Sequence, residues 1–185
     1  MNWDIKEIHN YNEYMQKYSI HSLLAKIFAQ RKYNEQDVQG HTSKRLIYHD
    51  FSLFLDADLV LDRIQEALEN DEKICIYGDY DCDGILSTAI LVQAFLELGK
   101  KVGYHIPNRF EDGYGLNKER VQQMYEKGYS LLITVDNGIK AYEAIDLANE
   151  LGIDVIVIDH HDYDELPFIQ KCHRIIHLKK YVEVF

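Results

Sequence analysis

Short apolar segments alternate with amphipathic segments along the second half of the chain. The pattern predicts strands at 73–78, 101–106, 130–135 and 153–158 and helices at 85–98, 117–127 and 139–151. Strands that are apolar on both faces are typical of a buried parallel sheet. The alternation therefore predicts an α/β domain in which helices flank a parallel sheet, without fixing the order of the strands.

The first part of the chain has a different pattern. Apolar positions at helical spacing predict one or two short helices within 12–31 and another helix at 57–68. The stretch between them, 34–52, is polar and has no sustained period, so it predicts a linker. We expect this part to form a short helical lead that contributes packing rather than chemistry.

Acidic motifs follow three of the predicted strands. They are Asp79-Tyr-Asp-Cys-Asp-Gly84, Asp136-Asn-Gly138 and Asp159-His-His161. The carboxyl ends of parallel strands lie at one edge of a sheet, so the three motifs can converge on one crevice. Crowded carboxylates repel one another unless a cation neutralises them, which favours a divalent-metal cluster. Mixed oxygen and nitrogen ligands suit Mn²⁺, and Mg²⁺ is the alternative.

Each motif also has a simpler interpretation. A single Asp after a strand is more often the N-cap of the next helix than a metal ligand. Three such motifs at separate strand ends, one of them with paired histidines, favour the metal site. Gly84 lets the backbone pass close to this site before a helix whose first amides, with Ser87 and Thr88, can receive a phosphate. The alternative for both hydroxyl residues is an ordinary place in the helix.

Composition limits the classes of function. The 185 residues carry a formal net charge of −11, which argues against a broad basic surface for nucleic acid, so such a role needs compensation by bound cations. No apolar run approaches the roughly 20 residues that cross a bilayer, and the first residues lack the features of a signal peptide. We therefore predict a cytoplasmic protein without a membrane partner.

The acidic motifs match those of a known superfamily. Residues 81–84, 135–138 and 159–161 resemble motifs I, II and III of the DHH phosphoesterases. Within it, 76–85 and 106–116 are similar to the branch of exonucleases that degrade single-stranded DNA. The pyrophosphatase and oligoribonuclease branches usually have a histidine four residues before the first paired aspartate, where Tyr77 stands here. The resemblance extends from about residue 3 to residue 167.

The resemblance implies a role for individual residues. It implies that a pair of divalent ions, Mn²⁺ or Mg²⁺, is held by Asp81, Asp83, Asp136 and His160, with Asp79 assisting. It further implies that His161 faces the scissile phosphate and acts with Asp136 in catalysis, and that Arg109 contacts a phosphate. Two-metal hydrolysis of single-stranded DNA, in DNA repair or recombination, is the implied activity.

The chain departs from the superfamily pattern after residue 167. The family continues with another metal-binding aspartate and with a second domain that grips the strand, and this chain stops at Phe185 before either. We expect a helical lead at 1–70, a partial phosphoesterase domain at 71–167 and a divergent tail at 168–185, where 172–177 forms the next strand. Reduced or absent activity of the chain alone follows.

Two other functions stay open. The first is a DHH phosphodiesterase for oligoribonucleotides or cyclic dinucleotides, which would share the metal site. The second is a catalytically silent fragment that serves as a structural or partner-binding module. The sequence indicates no particular protein partner.

Overall fold

The computed structural model describes residues 7–43, 50–54, 56–108, 115–162 and 175–177. The chain forms two compact units, Met1–His49 and Asp50–Phe185. The helices are α1 (Tyr11–Tyr18), α2 (Ser22–Gln30), α3 (Glu35–Thr42), α4 (Ala57–Glu69), α5 (Cys82–Glu97), α6 (Lys118–Glu126) and α7 (Tyr142–Glu150). The strands are β1 (Ile74–Tyr77), β2 (Gly103–His105), β3 (Leu131–Val135), β4 (Asp154–Asp159) and β5 (Ile175–His177).

The first unit contains the helices α1 to α3. Its buried apolar side chains are Ala25, Phe28 and Val38. The sequence predicted one or two short helices and then a linker, and the linker prediction is wrong for 35–42, which form α3. Hydrogen bonds between Asn34 and Asp37, each side chain accepting from the backbone of the other, cap this helix. With one buried apolar residue, α3 lacks the periodicity that would have revealed it.

The second unit is built on a five-stranded sheet in the order β2-β1-β3-β4-β5. All four neighbouring pairs of strands are parallel. Every residue of β1 and β3 is buried, which explains why these segments are apolar except for Thr134. The prediction of a parallel sheet flanked by helices is confirmed.

Helices cover both faces of this sheet. On one face, Val60 of α4 and Phe95 of α5 pack against Ile74 and Ile76 of β1. On the other face, α6 and α7 pack against the side chains that alternate with these, including Tyr77. Alternation of side chains along each strand therefore gives two separate apolar cores, one above and one below the sheet.

Several boundaries differ from the predicted ones because of local hydrogen bonds. Helix α5 begins at Cys82 rather than 85, since the side chain of Asp81 accepts from the amide of Gly84 at 3.2 Å and caps it. Helix α7 begins at Tyr142 rather than 139, because the preceding residues form a turn in which the amide of Ala141 donates to the carbonyl of Gly138.

The end of the sheet is described only in part. Residues 175–177 form β5 and pair with β4, as the sequence predicted for 172–177, and 172–174 lie outside the described residues. In the described ranges, none of the helices has the length and apolar character needed to cross a bilayer. The predicted division at residues 70 and 167 and the predicted cytoplasmic location stay predictions.

Candidate metal centre

The order of the strands determines where a site can form. Strand β2 lies on one side of β1 and β3 lies on the other, so the chain changes direction across the sheet between β1 and β3. At such a switch point the loops leaving neighbouring strands separate and open a crevice beyond their carboxyl ends. The loops that follow β1 and β3 carry the first two acidic motifs.

The first motif lies between β1 and α5. Asp79 is 1% exposed, and its carboxylate accepts from the amide of Tyr80 at 2.7 Å. Asp81 caps α5, while the side chain of Asp83 is exposed at the start of that helix. A Cβ at Gly84 would lie 2.6 Å from the amide nitrogen of Asp79, so only glycine lets the helix approach the strand this closely.

The second motif follows β3. Asp136 has a φ of 61°, in the left-handed region that few residues other than glycine adopt, and Asp and Asn are among those few. Its amide donates to the carbonyl of Ile158 at 2.9 Å. The side-chain amide of Asn137 donates to the carbonyls of Tyr77 and Val135 at 3.2 and 2.9 Å. Asn137 thus ties the end of β1 to the end of β3.

The third motif follows β4 and brings two histidines to the same edge. His160 Nε2 lies 2.9 Å from Asp136 Oδ1 and 3.9 Å from Asp83 Oδ2. His161 Nδ1 lies 2.7 Å from Asp159 Oδ1. The two imidazole rings are 4.6 Å apart between their centres. The histidines therefore lie side by side, each against a different carboxylate.

Two overlapping groups of potential ligands result. Asp79, Asp81 and Asp136 form one, and Asp136, His160 and His161 form the other. Within each group, one ligand atom per residue lies within 4.8 Å of the others. Asp136 belongs to both groups, and Asp83 borders the second through His160. The structure thus brings together all five residues that the sequence predicted as metal ligands.

The carboxylates of this cluster repel one another, and their pKa values are shifted in different directions. Burial, followed by the charge of Asp83, raises the pKa of Asp136 even though its hydrogen bond with His160 acts in the other direction. Burial likewise raises the pKa of Asp79, with a contribution from the charge of Asp81. Hydrogen bonds with the Asp83 carboxyl group and the amide of Gly84 lower the pKa of Asp81. A bound cation would relieve the repulsion among these carboxylates.

The structure places the predicted phosphate-binding residues in different surroundings. Ser87 lines a cavity of about 310 Å³ with Asp83, Asp136 and His160, and its hydroxyl donates to the carbonyl of Asp83. Thr88 is 3% exposed, and its hydroxyl donates to the carbonyl of Gly84 at 2.8 Å. Its side chain is therefore not brought to the crevice. Arg109 lies outside the described residues.

A second cavity borders the cluster on the side of the second motif. Its volume is about 410 Å³, and its wall includes Asn137, Gly138, Lys140 and His161. The two cavities flank the pair of histidines, His160 lining one and His161 lining the other. A substrate that occupied either cavity would therefore lie next to the candidate metal ligands.

Comparison with known proteins gives the family. The model of the DHH family, N-terminal domain, matches residues 73–182, which is more than half of the chain. The chain belongs to the DHH family. The match to the DHH family covers β1 to β5 and contains all three acidic motifs.

Named proteins and solved structures are similar to this chain. The single-stranded-DNA-specific exonuclease RecJ of Bacillus subtilis (strain 168) is 45% identical over 120 residues, 64% of this chain and 15% of that protein. A crystal structure of exonuclease RecJ bound to manganese has a TM-score of 0.60 and 35% identity, covering 67% of this chain and 31% of that chain.

A second crystal structure, of RecJ from Thermus thermophilus in complex with Mn²⁺, has a TM-score of 0.64 at 25% identity. The match covers 96% of this chain and 24% of that one. This chain therefore spans less than a third of each of these relatives.

Two side chains of the DHH domain in this protein have contacts that the sequence did not indicate. Tyr77, where other DHH branches usually have histidine, is completely buried, and its hydroxyl donates to the carbonyl of Gly115 at 3.2 Å. Asp159 is also buried and holds the ring of His161. An acidic residue at the end of a buried apolar strand was the available signal for Asp159, since a charge there needs several hydrogen-bond partners.

Proposed function

We propose that this chain is the metal-binding N-terminal part of a single-strand-specific DNA exonuclease of the RecJ type. The observation that carries the proposal is the pair of ligand groups that share Asp136 at the switch point of the sheet. A carboxylate shared by two groups suits two divalent ions bound next to each other, as in two-metal phosphoesterases.

The donor atoms fit manganese or magnesium. One ion would take carboxylate oxygens from Asp79, Asp81 and Asp136, and the second would take Asp136, His160 and Asp83. Oxygen ligands with one imidazole suit Mn²⁺ and also admit Mg²⁺. When bound, the ions would lower the pKa of a water and offset the negative charge that develops on the phosphoryl oxygens.

The remaining groups of the crevice would act on the substrate. His161 lines the 410 Å³ cavity and is 40% exposed, so its ring can meet a phosphate oxygen there. Burial acts to lower the pKa of His161, but the hydrogen bond with Asp159 and nearby carboxylates outweigh it, so the pKa is raised. A raised pKa favours the protonated ring, which can donate to an anion. Ser87 and Arg109 stay as proposed phosphate contacts, whereas the buried side chain of Thr88 does not.

Single-stranded DNA is the proposed substrate, in DNA repair or recombination. RecJ of Bacillus subtilis, 45% identical over the matched part, is a single-stranded-DNA-specific exonuclease. The net charge of −11 does not favour binding of a polyanion by this part alone. We therefore expect the chain to contribute the metal centre and to hold a strand weakly.

Metal binding is tested by thermal unfolding with and without Mn²⁺. A ligand at 100 times its dissociation constant stabilises the folded state by about 2.7 kcal/mol, so Mn²⁺ should raise the melting temperature by several degrees. Asp136→Asn should abolish this response. Asp154→Asn, which changes a carboxylate at the opposite end of the sheet, is the matched control and should retain it. An equal response in all three proteins would refute the assigned ligands.

The substrate is tested with a panel of labelled single-stranded DNA, short oligoribonucleotides and cyclic dinucleotides in Mn²⁺ at low salt. We expect slow, Mn²⁺-dependent cleavage of DNA that Asp136→Asn abolishes. Faster cleavage of the dinucleotides would favour the other phosphodiesterase branch. If this chain binds Mn²⁺ without cleaving any substrate, a version extended through the second domain of the family decides: cleavage by the extended version would support the exonuclease, and no cleavage by it would favour a silent binding module.

A further inference from the structure

The two neighbouring histidines are held through opposite ring nitrogens. His160 meets Asp136 through Nε2 at 2.9 Å, whereas His161 meets Asp159 through Nδ1 at 2.7 Å. A neutral imidazole carries its proton on only one nitrogen, and the partner of the ring decides which one. The two rings therefore present different atoms to the crevice, although they are adjacent in the chain.

Asp159 is itself held rigidly. Its Oδ1 accepts from the amides of His160 and His161 at 2.7 and 3.1 Å, and its Oδ2 accepts from the amide of Ile139 at 3.0 Å. The side chain has no exposed area. A carboxylate that is buried and accepts from three amides has no room to turn, because any rotation would leave donors without partners. The same Oδ1 also lies 2.7 Å from Nδ1 of the His161 ring.

We infer that Asp159 is a positioning residue that accepts the Nδ1 proton of His161 and thereby directs Nε2 of that ring toward the 410 Å³ cavity. The inference deepens the proposed function, on which the role of His161 toward a phosphate rests. Asp159 acts through His161 and does not itself contact the substrate. Both residues belong to the wall of this cavity, with Gly138 and Lys140 beside them.

The arrangement distinguishes the two histidines. In the metal-free chain at a pH where both rings are neutral, His161 carries its proton on Nδ1. At the same pH His160 carries its proton on Nε2, which it donates to Asp136. The orientation of His161 is therefore set before any ion or substrate arrives, because it depends only on contacts within the protein.

The tautomers are measured by long-range ¹H–¹⁵N correlation spectra of the metal-free chain labelled with ¹⁵N-histidine, at about pH 9, well above the ordinary pKa of histidine near 6.5. His161→Gln and His160→Gln assign the two rings. The expected spectrum has a protonated Nδ1 for His161 and a protonated Nε2 for His160. A protonated Nε2 for His161 in the unsubstituted protein overturns the inference without the need for any further variant.

Two substitutions then separate the carboxylates. Asp159→Asn should shift His161 toward the Nε2-protonated form and leave the tautomer of His160 unchanged, and Asp136→Asn should leave the tautomer of His161 unchanged. Retention of the Nδ1-protonated form in folded Asp159→Asn would refute the role of Asp159. Failure of the unsubstituted chain to bind Mn²⁺ would contradict the proposed function instead, since the tautomers are read without metal.

Discussion

Acidic side chains lie at both ends of the sheet, in opposite electrostatic settings. At the amino end, Arg63 of α4 donates to Asp154 at 2.6 Å and to both oxygens of Glu72 at 3.1 and 2.7 Å. At the carboxyl end, Asp79 and Asp136 lie against other carboxylates and histidines. Among the residues that the structure describes, no lysine or arginine forms an ion pair with those two.

The difference separates an acidic cluster that stabilises the fold from one whose charges destabilise the metal-free fold. Hydrogen bonds with Arg63 lower the pKa of Glu72, against the opposing effect of burial, so the charged carboxylate stabilises the fold. Burial and like charges raise the pKa of Asp136, so its charge destabilises the metal-free fold. A cation at the second cluster, as proposed above, would offset this repulsion.

The largest expected effect comes from removing the cation of the amino end. Arg63 is 5% exposed, and Arg63→Met would leave Glu72 and Asp154 without their common partner. Removal of one partner from a buried ion pair costs about 3 to 5 kcal/mol. Because Asp154 is 45% exposed and can be solvated, we expect about 2 to 4 kcal/mol, measured by urea denaturation. A loss below about 0.5 kcal/mol would contradict the stabilising role.

Replacing Asp by Asn at the two ends of the sheet should change the free energy of unfolding in opposite directions, in metal-free buffer at neutral pH. Asp154→Asn removes a charged partner of Arg63 and should lower the free energy of unfolding by about 1 kcal/mol. Asp136→Asn removes a repelling charge and keeps an oxygen for His160, so it should raise that free energy by several tenths of a kcal/mol. Destabilisation by both variants would remove the distinction between the ends.

The pH dependence of stability sharpens the comparison further. The lowered pKa of Glu72 contributes stability that is present above its pKa in the unfolded state and is lost as pH falls through its pKa in the folded state. The raised pKa of Asp136 has the opposite effect. Its contribution to stability is present below the pKa of the unfolded state and is lost as pH rises through the pKa of the folded state.

Urea denaturation between about pH 3 and about pH 7 checks these signs. Glu72→Gln should destabilise at neutral pH, Asp136→Asn should stabilise, and both differences should shrink in acid. A stabilising effect of Asp136→Asn that grew as pH fell would contradict the assigned direction.

The smallest effect is expected at an exposed ion pair away from both ends. Lys118 and Glu143 are 2.8 Å apart with exposed fractions of 51% and 82%. Lys118→Ala should change the free energy of unfolding by less than about 0.5 kcal/mol, and the difference should vanish at high salt. A loss well above this value that high salt removes would mean that pairing without burial can account for the effect of Arg63.

The sequence predicted some contacts of the candidate site and did not indicate others. Asp79, Asp136 and His160 were predicted to meet because each follows a buried strand, and they lie at one edge of the sheet. The sequence could not distinguish a helix cap from a potential metal ligand at Asp81, which caps α5 and also lies in the cluster. The sequence did not indicate the ion pair between Arg63 and Asp154, because these residues are 91 positions apart along the chain.

By itself, the sequence determined the alternation of strands and helices, because burial on both faces requires uniformly apolar strands and one-sided helices. It also determined which acidic residues follow strands. Only the tertiary structure decided that β1 and β3 are neighbours, that Asp136 is common to both ligand groups, and that His161 is held by Asp159. Strand order and side-chain pairing depend on packing between segments that are distant along the chain, and local periodicity does not indicate which segments pack together.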